Sequence, residues 1–466
     1  MKLAPYPEYK NAAVKWVGSI PIHWAENRAK YYFKEIDDRS QAGDEEMLSV
    51  SHITGVTPRS QKNVTMFKAE SNVGQKRCRP GDVVINTMWA WMSALGVSNH
   101  TGIVSPAYGV YRPQRGQDYD DYYLDNLLRI EGYRSEYICR STGIRSSRLR
   151  LYPDKFLSMP LVCPPLGEQQ DIARFLRAQE CLFRKFIRNK RRLIELLKEQ
   201  KQNIINQAVT RGLDPNVKLK PSGVEWIGDI PEHWEIAPLK QLARINSRVL
   251  SEQTDENYTF KYFDISSVGT GRLTGKSEIL RFAQAPSRAR RILIKGDTIL
   301  STVRTYLKAV YYVSDEVEDW IASTGFAVLT PKREIYPPLL GLLIQSDNFI
   351  SRVIRESVGV AYPAIAETKL GTLHLAFPIS FDEQRKILEH IANASRAIDQ
   401  VVTRAEREIE LMREYRTRLI SDVVTGQVDV RGIDVPEVAE EELLALEDET
   451  AESDDVIDEE DMDEAD

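Results

Sequence analysis

Two stretches of the chain, 168–210 and 383–425, carry apolar residues about every 3.5 positions and contain neither Pro nor Gly. In the first, Leu176, Phe183, Leu197 and Ile204 recur at heptad spacing, with Lys190 interrupting the series. In the second, Ile391, Ile398, Ala405, Met412 and Leu419 recur without a break. Ile172, Phe186, Ile194 and Ala208 fill the alternate seam of the first; Ile387, Ala394, Ile409 and Val423 fill that of the second. A seam of this period buries best against another helix, in a coiled coil. Ser380-Phe-Asp-Glu383 reads as a capping box, and Gly212 and Gly426 stand just past the two ends. At about 1.5 Å per residue each helix spans about 64 Å, well beyond a globule of about 14 Å radius of gyration. The two seams are therefore expected to pair as an antiparallel rod. Packing of each helix on its own domain is the alternative.

The remaining chain reads as short β-rich runs broken by Pro and Gly, and its patterns occur twice in the same order. "WVGSIPIHW" (16–24) matches "WIGDIPEHW" (226–234) at six of nine positions. At an offset near 215, "RPGDVVINT" (79–87) faces "IKGDTILST" (294–302), and "GEQQDIARFL" (167–176) faces "DEQRKILEHI" (382–391). A period this long marks a duplicated domain rather than a solenoid. The expected fold class is α+β: two homologous domains alternating with two long helices in an antiparallel coiled coil, pseudo-twofold symmetric. The boundaries read 1–165 and 213–380 for the domains, 166–212 and 381–426 for the helices, and 427–466 for a C-terminal segment.

Charge refines this picture. The net charge is −7, but residues 437–466 hold 17 Asp and Glu and no Lys or Arg. The rest carries 62 basic against 52 acidic residues, about +10. A run this acidic is expected to be a disordered tail, either inert or competing with nucleic acid for the basic body. Cys78, Cys139, Cys163 and Cys181 show no paired spacing, which suits scattered reduced thiols. The N-terminus has no apolar core and no segment nears 18 apolar residues, so a soluble cytoplasmic protein without membrane contact is expected.

Catalytic signatures are lacking. "CPPL" (163–166) and "YPPL" (336–339) lack the Asp or Asn of an amino-methyltransferase motif. "GTGRLTGKS" (269–277) has the wrong spacing for a phosphate loop and reads as a basic hairpin turn. The six histidines have no metal-ligand spacing, no GxSxG occurs, and His23 and His233 read as structural. A binding protein is favoured over a catalyst.

Two regions are candidate DNA contacts. "STGIRSSRLR" (141–150) places Arg145, Arg148 and Arg150 among hydroxyls, a composition suited to phosphates and to guanine. Its counterpart "SVGVAYPAIAE" (357–367) has no basic residue, whereas "SRARRILIKGD" (287–297) supplies Arg288 and Arg290. After the Gly-Asp strands, "TMWAW" (87–91) faces "TVRTY" (302–306). Thr87, Trp89 and Trp91 thus stand opposite Thr302, Arg304 and Tyr306, as two readers of different sequences on one scaffold would. Solvated loops and core aromatics are the alternatives.

In combination, "GVEWIGDIPEHWEIAPLK" (223–240), its partial copy "AVKWVGSIPIHW" (13–24), the helix starts "PPLGEQQ" (164–170) and "PISFDEQR" (378–385), and "NQAVTRGLDPN" (206–216) resemble the specificity subunit of type I restriction–modification enzymes. The likeness covers residues 1–435; the acidic tail departs from it. It implies two target-recognition domains, each reading half of a bipartite duplex DNA site. The coiled-coil residues Leu176, Phe183, Leu197, Ile204, Ile391, Ile398, Ala405, Met412 and Leu419 would set the spacing and dock partners. Those partners would be two modification subunits, which bind S-adenosylmethionine, and two restriction subunits, which use ATP and Mg. The chain itself would hold no cofactor, no metal and no catalytic residue. A stand-alone methyltransferase or nuclease, or a coiled-coil scaffold without a DNA role, are the other readings.

Overall fold

The two heptad stretches are single helices, Leu166–Arg211 and Phe381–Val424. The computed structural model describes residues 3–61, 72–114, 119–143, 149–275, 277–436 and 438. They form two compact units. Unit 1 comprises residues 1–191 and 406–466 and unit 2 residues 192–405, so each helix contributes one half to each unit.

Within unit 1 the helix halves run antiparallel. The Arg416 guanidinium donates to both Glu180 oxygens, at 2.6 and 3.0 Å, and Lys190 meets Glu408 at 2.6 Å. Lys190, the break in the heptad series, is therefore the site of an inter-helix ion pair. Leu176 and Phe183 share a buried core with Leu419 and Val423, with Met412 packed at its edge. Within unit 2, Lys201 reaches both Asp399 oxygens at 2.8 Å, and Ile391, Ile398 and Ala405 are buried.

Five seam positions are only half-buried: Phe186, Leu197 and Ile204 on the first helix, and Ala394 and Met412 on the second. Ile205, the neighbour of Ile204, is buried. Ile205, Ala208 and Val209 belong to the globular core of unit 2. A straight helix drifts from a strict 3.5-residue repeat, and here its last turns face a domain rather than a helix. The helices thus pair in mid-length and pack on their own domains near their ends. Gly212 (φ 77°) and Gly426 (φ 75°) take the left-handed conformation expected of them.

The globular parts share one frame. In unit 1 an antiparallel sheet runs Phe33–Glu35, Gly109–Pro113, Val83–Ile85, Leu95–Val97. In unit 2 the order is Ala243–Ile245, Phe326–Pro331, Thr298–Ser301, Val310–Tyr312, the same succession along the chain. A second layer in unit 2 includes a parallel pairing of Lys261 with Trp320, matched in unit 1 by a parallel bridge from Met47 to Ile103. The Gly-Asp turns precede the strands Val83–Ile85 and Thr298–Ser301. Each Asp is buried, caps its own turn and binds an arginine: Asp82 with Arg112 at 2.8 and 2.7 Å, Asp297 with Arg248 at 2.7 and 2.6 Å.

The repeated Trp-Pro-His motif closes each junction. Trp24 donates its indole N–H to Glu168 at 3.0 Å, and His23 lies 2.8 Å from the other oxygen. Trp234 and His233 repeat this on Glu383, each at 2.9 Å. The adjacent glutamines point the other way. The Gln169 amide donates to Pro164 and accepts from Asp120 N–H; that of Gln384 donates to Pro378 and accepts from Tyr336 N–H. The "EQ" pair at each helix start thus joins the domain's first and last segments. This corrects the capping-box reading: Ser380 accepts weakly from Glu383 N–H at 3.5 Å, but the Glu383 carboxylate is committed to Trp234 and His233.

In unit 1 the N-terminal segment and the domain helix Asp121–Arg129 also meet the end of the C-terminal helix and the residues just after it. Gln427 donates to Ser19 at 2.9 Å, Tyr123 donates to the Val424 carbonyl at 2.9 Å, and Ala4 bridges Asp429.

Glu180 supplies a stability prediction. Burial pushes its carboxyl pKa up, but the Arg416 and Arg184 guanidiniums outweigh this and hold it below the usual range. A depressed carboxyl stabilises the fold above the unfolded pKa and loses that contribution as pH falls through the folded value. Glu180→Gln should cost about 1–3 kcal/mol at pH 7. In denaturant titrations the gap from the parent protein should narrow as pH falls below the ordinary range of a Glu carboxyl.

Candidate nucleic-acid interface

After each Gly-Asp strand the chain makes a single 3-10 turn, Ala90–Met92 in unit 1 and Thr305–Leu307 in unit 2. Each turn ends on a left-handed residue, Ser93 (φ 64°) and Lys308 (φ 52°), 215 positions apart. Each also carries a second segment alongside it. In unit 1 the Leu151 N–H donates to Thr87 at 2.9 Å, and Thr142 pairs with Arg150. In unit 2 the Ile365 N–H donates to Thr302 at 2.9 Å, and Val358 pairs with Ala364. The two regions singled out in each half of the sequence are thus neighbours in each unit.

The side chains on these frames differ. In unit 1, Trp89 is 39% exposed and the exposed Arg150 approaches the Met88 sulfur at 3.8 Å. Trp91 is half-buried: its indole N–H caps the Met88 carbonyl at 3.0 Å, and Arg134 donates to its own carbonyl. Thr87 donates to Ala107 at 2.9 Å. Trp91 and Thr87 therefore brace the turn, and Trp89 and Arg150 face solvent. Arg145 and Arg148 lie outside the described residues.

In unit 2, Arg304 sits 4.7 Å from the Tyr362 ring centroid, and Tyr306 is 51% exposed. Leu307, Val358 and Val360 are exposed beside them in sequence. Arg288 is one step removed: its carbonyl accepts from Thr324, next to Gly325, which accepts from Thr302. Its own Nε donates to the Tyr262 hydroxyl at 3.2 Å. Arg290 folds over the Phe282 ring at 5.0 Å and donates to Ala289, so this turn does not include it. Met88 and Tyr362 escaped the sequence reading. The 357–367 loop has no basic residue, and a tyrosine between Gly359 and Pro363 is the signal that could have marked it.

"GTGRLTGKS" contains a tight turn with Val268 bridging Leu273, followed by the strand Glu278–Arg281 rather than the helix a phosphate loop requires. Among the described residues, no helix is long and apolar enough to cross a membrane, and no group of three His, Cys, Asp or Glu could hold a metal.

The seam residues named for partner docking need a correction. Leu176, Phe183, Ile391, Ile398, Ala405 and Leu419 are buried within the units, so no incoming subunit can reach them. Exposed large apolar side chains among the described residues of the same helices are Leu166, Leu182, Leu411 and Tyr415 in unit 1, and Leu193, Leu196, Phe381 and Val401 in unit 2.

The contrast between bracing and exposed tryptophans is testable by denaturant titration. Trp24→Ala, at a fully buried and hydrogen-bonded site, should cost about 3–5 kcal/mol. Trp89→Ala should stay within about 0.5–1 kcal/mol of the parent.

Comparison with known proteins fits this geometry. Residues 231–411 match the family model of the type I restriction modification DNA specificity domain. The type I restriction enzyme MjaVIII specificity subunit of Methanocaldococcus jannaschii is 23% identical over 328 residues, 69% of this chain and 73% of that one. The HindI specificity subunit of Haemophilus influenzae is 28% identical over 152 residues, 31% of this chain and 32% of that one. A chain from a solved type I R-M system superposes with a TM-score of 0.61 at 16% identity, covering 88% of this chain and 99% of its own, which establishes a shared fold. Residues 231–411 are thus similar to the DNA specificity domain of type I restriction–modification enzymes, and much of the chain is similar to their specificity subunits.

Proposed function

We propose that this chain is the non-catalytic DNA-recognition subunit of a type I restriction–modification complex, reading an asymmetric bipartite site with one turn-and-loop surface per unit. The observation that carries this reading is the pair of matching frames with unlike faces. Trp89 and Arg150 occupy one; Arg304, Tyr306 and Tyr362 occupy the other. Side chains on such a frame can reach base edges while the frame itself stays fixed. The net charge of about +10 over residues 1–436 favours a duplex, whose phosphates supply most of the affinity and make it salt-sensitive.

Modification subunits, two of them, would dock on the exposed apolar residues of the helices, with two restriction subunits completing the assembly. S-adenosylmethionine, and ATP with Mg where restriction subunits are present, would be bound by those partners. The cytoplasm, where duplex DNA and reduced thiols coexist, suits the four free cysteines.

Two measurements test this reading. The purified chain alone, incubated with DNA and labelled S-adenosylmethionine, should transfer no label, and adding the modification subunit should restore transfer to a bipartite motif. Transfer by the chain alone would replace this reading with that of a stand-alone methyltransferase. Exchanging residues 25–165 for the equivalent domain of another specificity subunit should alter one half-site and leave the other and the gap unchanged. A change in both half-sites refutes the division of labour between units.

A further inference from the structure

Arg304 is held in place by its surroundings, yet its charged group is left available. Its backbone is left-handed (φ 51°, ψ 47°), a conformation disfavoured for a residue other than Gly, Asn or Asp. Neighbouring backbone fixes it there. The Arg304 N–H donates to Pro363 at 2.8 Å, Val303 pairs with Ala364, and Ala364 pairs in turn with Val358. The loop 358–364 is thereby latched to the turn. That latch brings the Tyr362 ring to 4.7 Å from the Arg304 guanidinium carbon. Both side chains are exposed. Among the described residues, no hydrogen bond or ion pair engages the guanidinium.

A planar guanidinium against an aromatic face keeps its N–H groups free to donate outward. Two of them match the spacing of O6 and N7 on the major-groove edge of guanine. Stacking also restricts a long side chain before any ligand arrives, which lowers the entropy lost on binding. At the corresponding place unit 1 carries Trp89, which has no such fork.

We infer that Arg304 reads a guanine in the half-site contacted by unit 2, and that Tyr362 is the positioning residue that aims it. This rests on the DNA-recognition reading above and adds a base identity to it. A phosphate contact by Arg304 would behave differently, weakening all sequences alike and lowering the salt dependence without changing preference.

The test is selection of randomised duplex DNA by the full chain assembled with its modification subunit, followed by sequencing. Arg304→Gly deletes the side chain and suits the left-handed turn. It should reduce the preference for G·C at one position of one half-site by about 10- to 100-fold, leaving the other half-site intact. Tyr362→Leu should weaken the same position to a smaller extent. If Arg304→Gly does not fold, as judged by thermal unfolding, Tyr362→Leu decides the matter alone. An unchanged motif, a uniform loss over all sequences, or a lost preference for a base pair other than G·C overturns the assignment. If the parent assembly selects no bipartite motif, the recognition reading itself fails and this assignment falls with it.

Discussion

The architecture depends on two glutamates at the starts of the long helices. Glu168 and Glu383 each receive an indole N–H from a buried tryptophan and lie against a histidine. A carboxylate largely withdrawn from water is tolerable only when its lone pairs are satisfied. The motif that satisfies them arrives from the first segment of the domain, some 150 residues earlier in the chain, and the helix begins just after the domain's last strand. One side chain therefore fixes where the domain opens, where it closes and where the helix leaves it. The neighbouring Gln169 and Gln384 extend the same fixation to the middle of the domain.

From those fixed starts the helices serve two kinds of partner in succession. Near its domain, each buries its apolar face in the globular core, as Ile205, Ala208 and Val209 do in unit 2. Further along it buries that face against the other helix and adds ion pairs such as Lys190 with Glu408. Helices this long cannot be held by propensity alone; packing supplies the stability.

Much of this was legible in the sequence, because periodicity and duplication are global signals. The helix limits read from apolar spacing, 168–210 and 383–425, fall within two residues of Leu166–Arg211 and Phe381–Val424. The repeated Trp-Pro-His stretch marked both junctions, although nothing local said that its partner was the Glu of each "EQ" pair. Individual burial was harder to read. Ile204 and Ile205 are both isoleucine, and only the position of the domain decides which one faces inward. The candidate interface divided in the same way. Adjacent tryptophans two residues apart took opposite roles, Trp91 bracing and Trp89 exposed, because a single turn of 3-10 helix points them apart. Arg290 is carried over Phe282 by the strand Ala289–Leu293, whereas Arg288 lies just before that strand, a difference that spacing alone does not reveal.

The buried aspartates of the Gly-Asp turns bear on how such proteins diversify. Asp82 and Asp297 occupy the same place in the two sheets, but their arginines come from different strands: Arg112 from the strand alongside, Arg248 from just beyond the first strand of its sheet. A recombination event with its crossover inside the sheet would therefore yield one hybrid with an uncompensated buried carboxylate and a reciprocal one with two arginines competing for a single acid. Crossovers at the Trp-Pro-His motif or at the helix start carry each acid and its arginine together. Selection against broken ion pairs would thus confine viable exchanges to whole domains, so that a new domain is acquired as a unit and not assembled strand by strand.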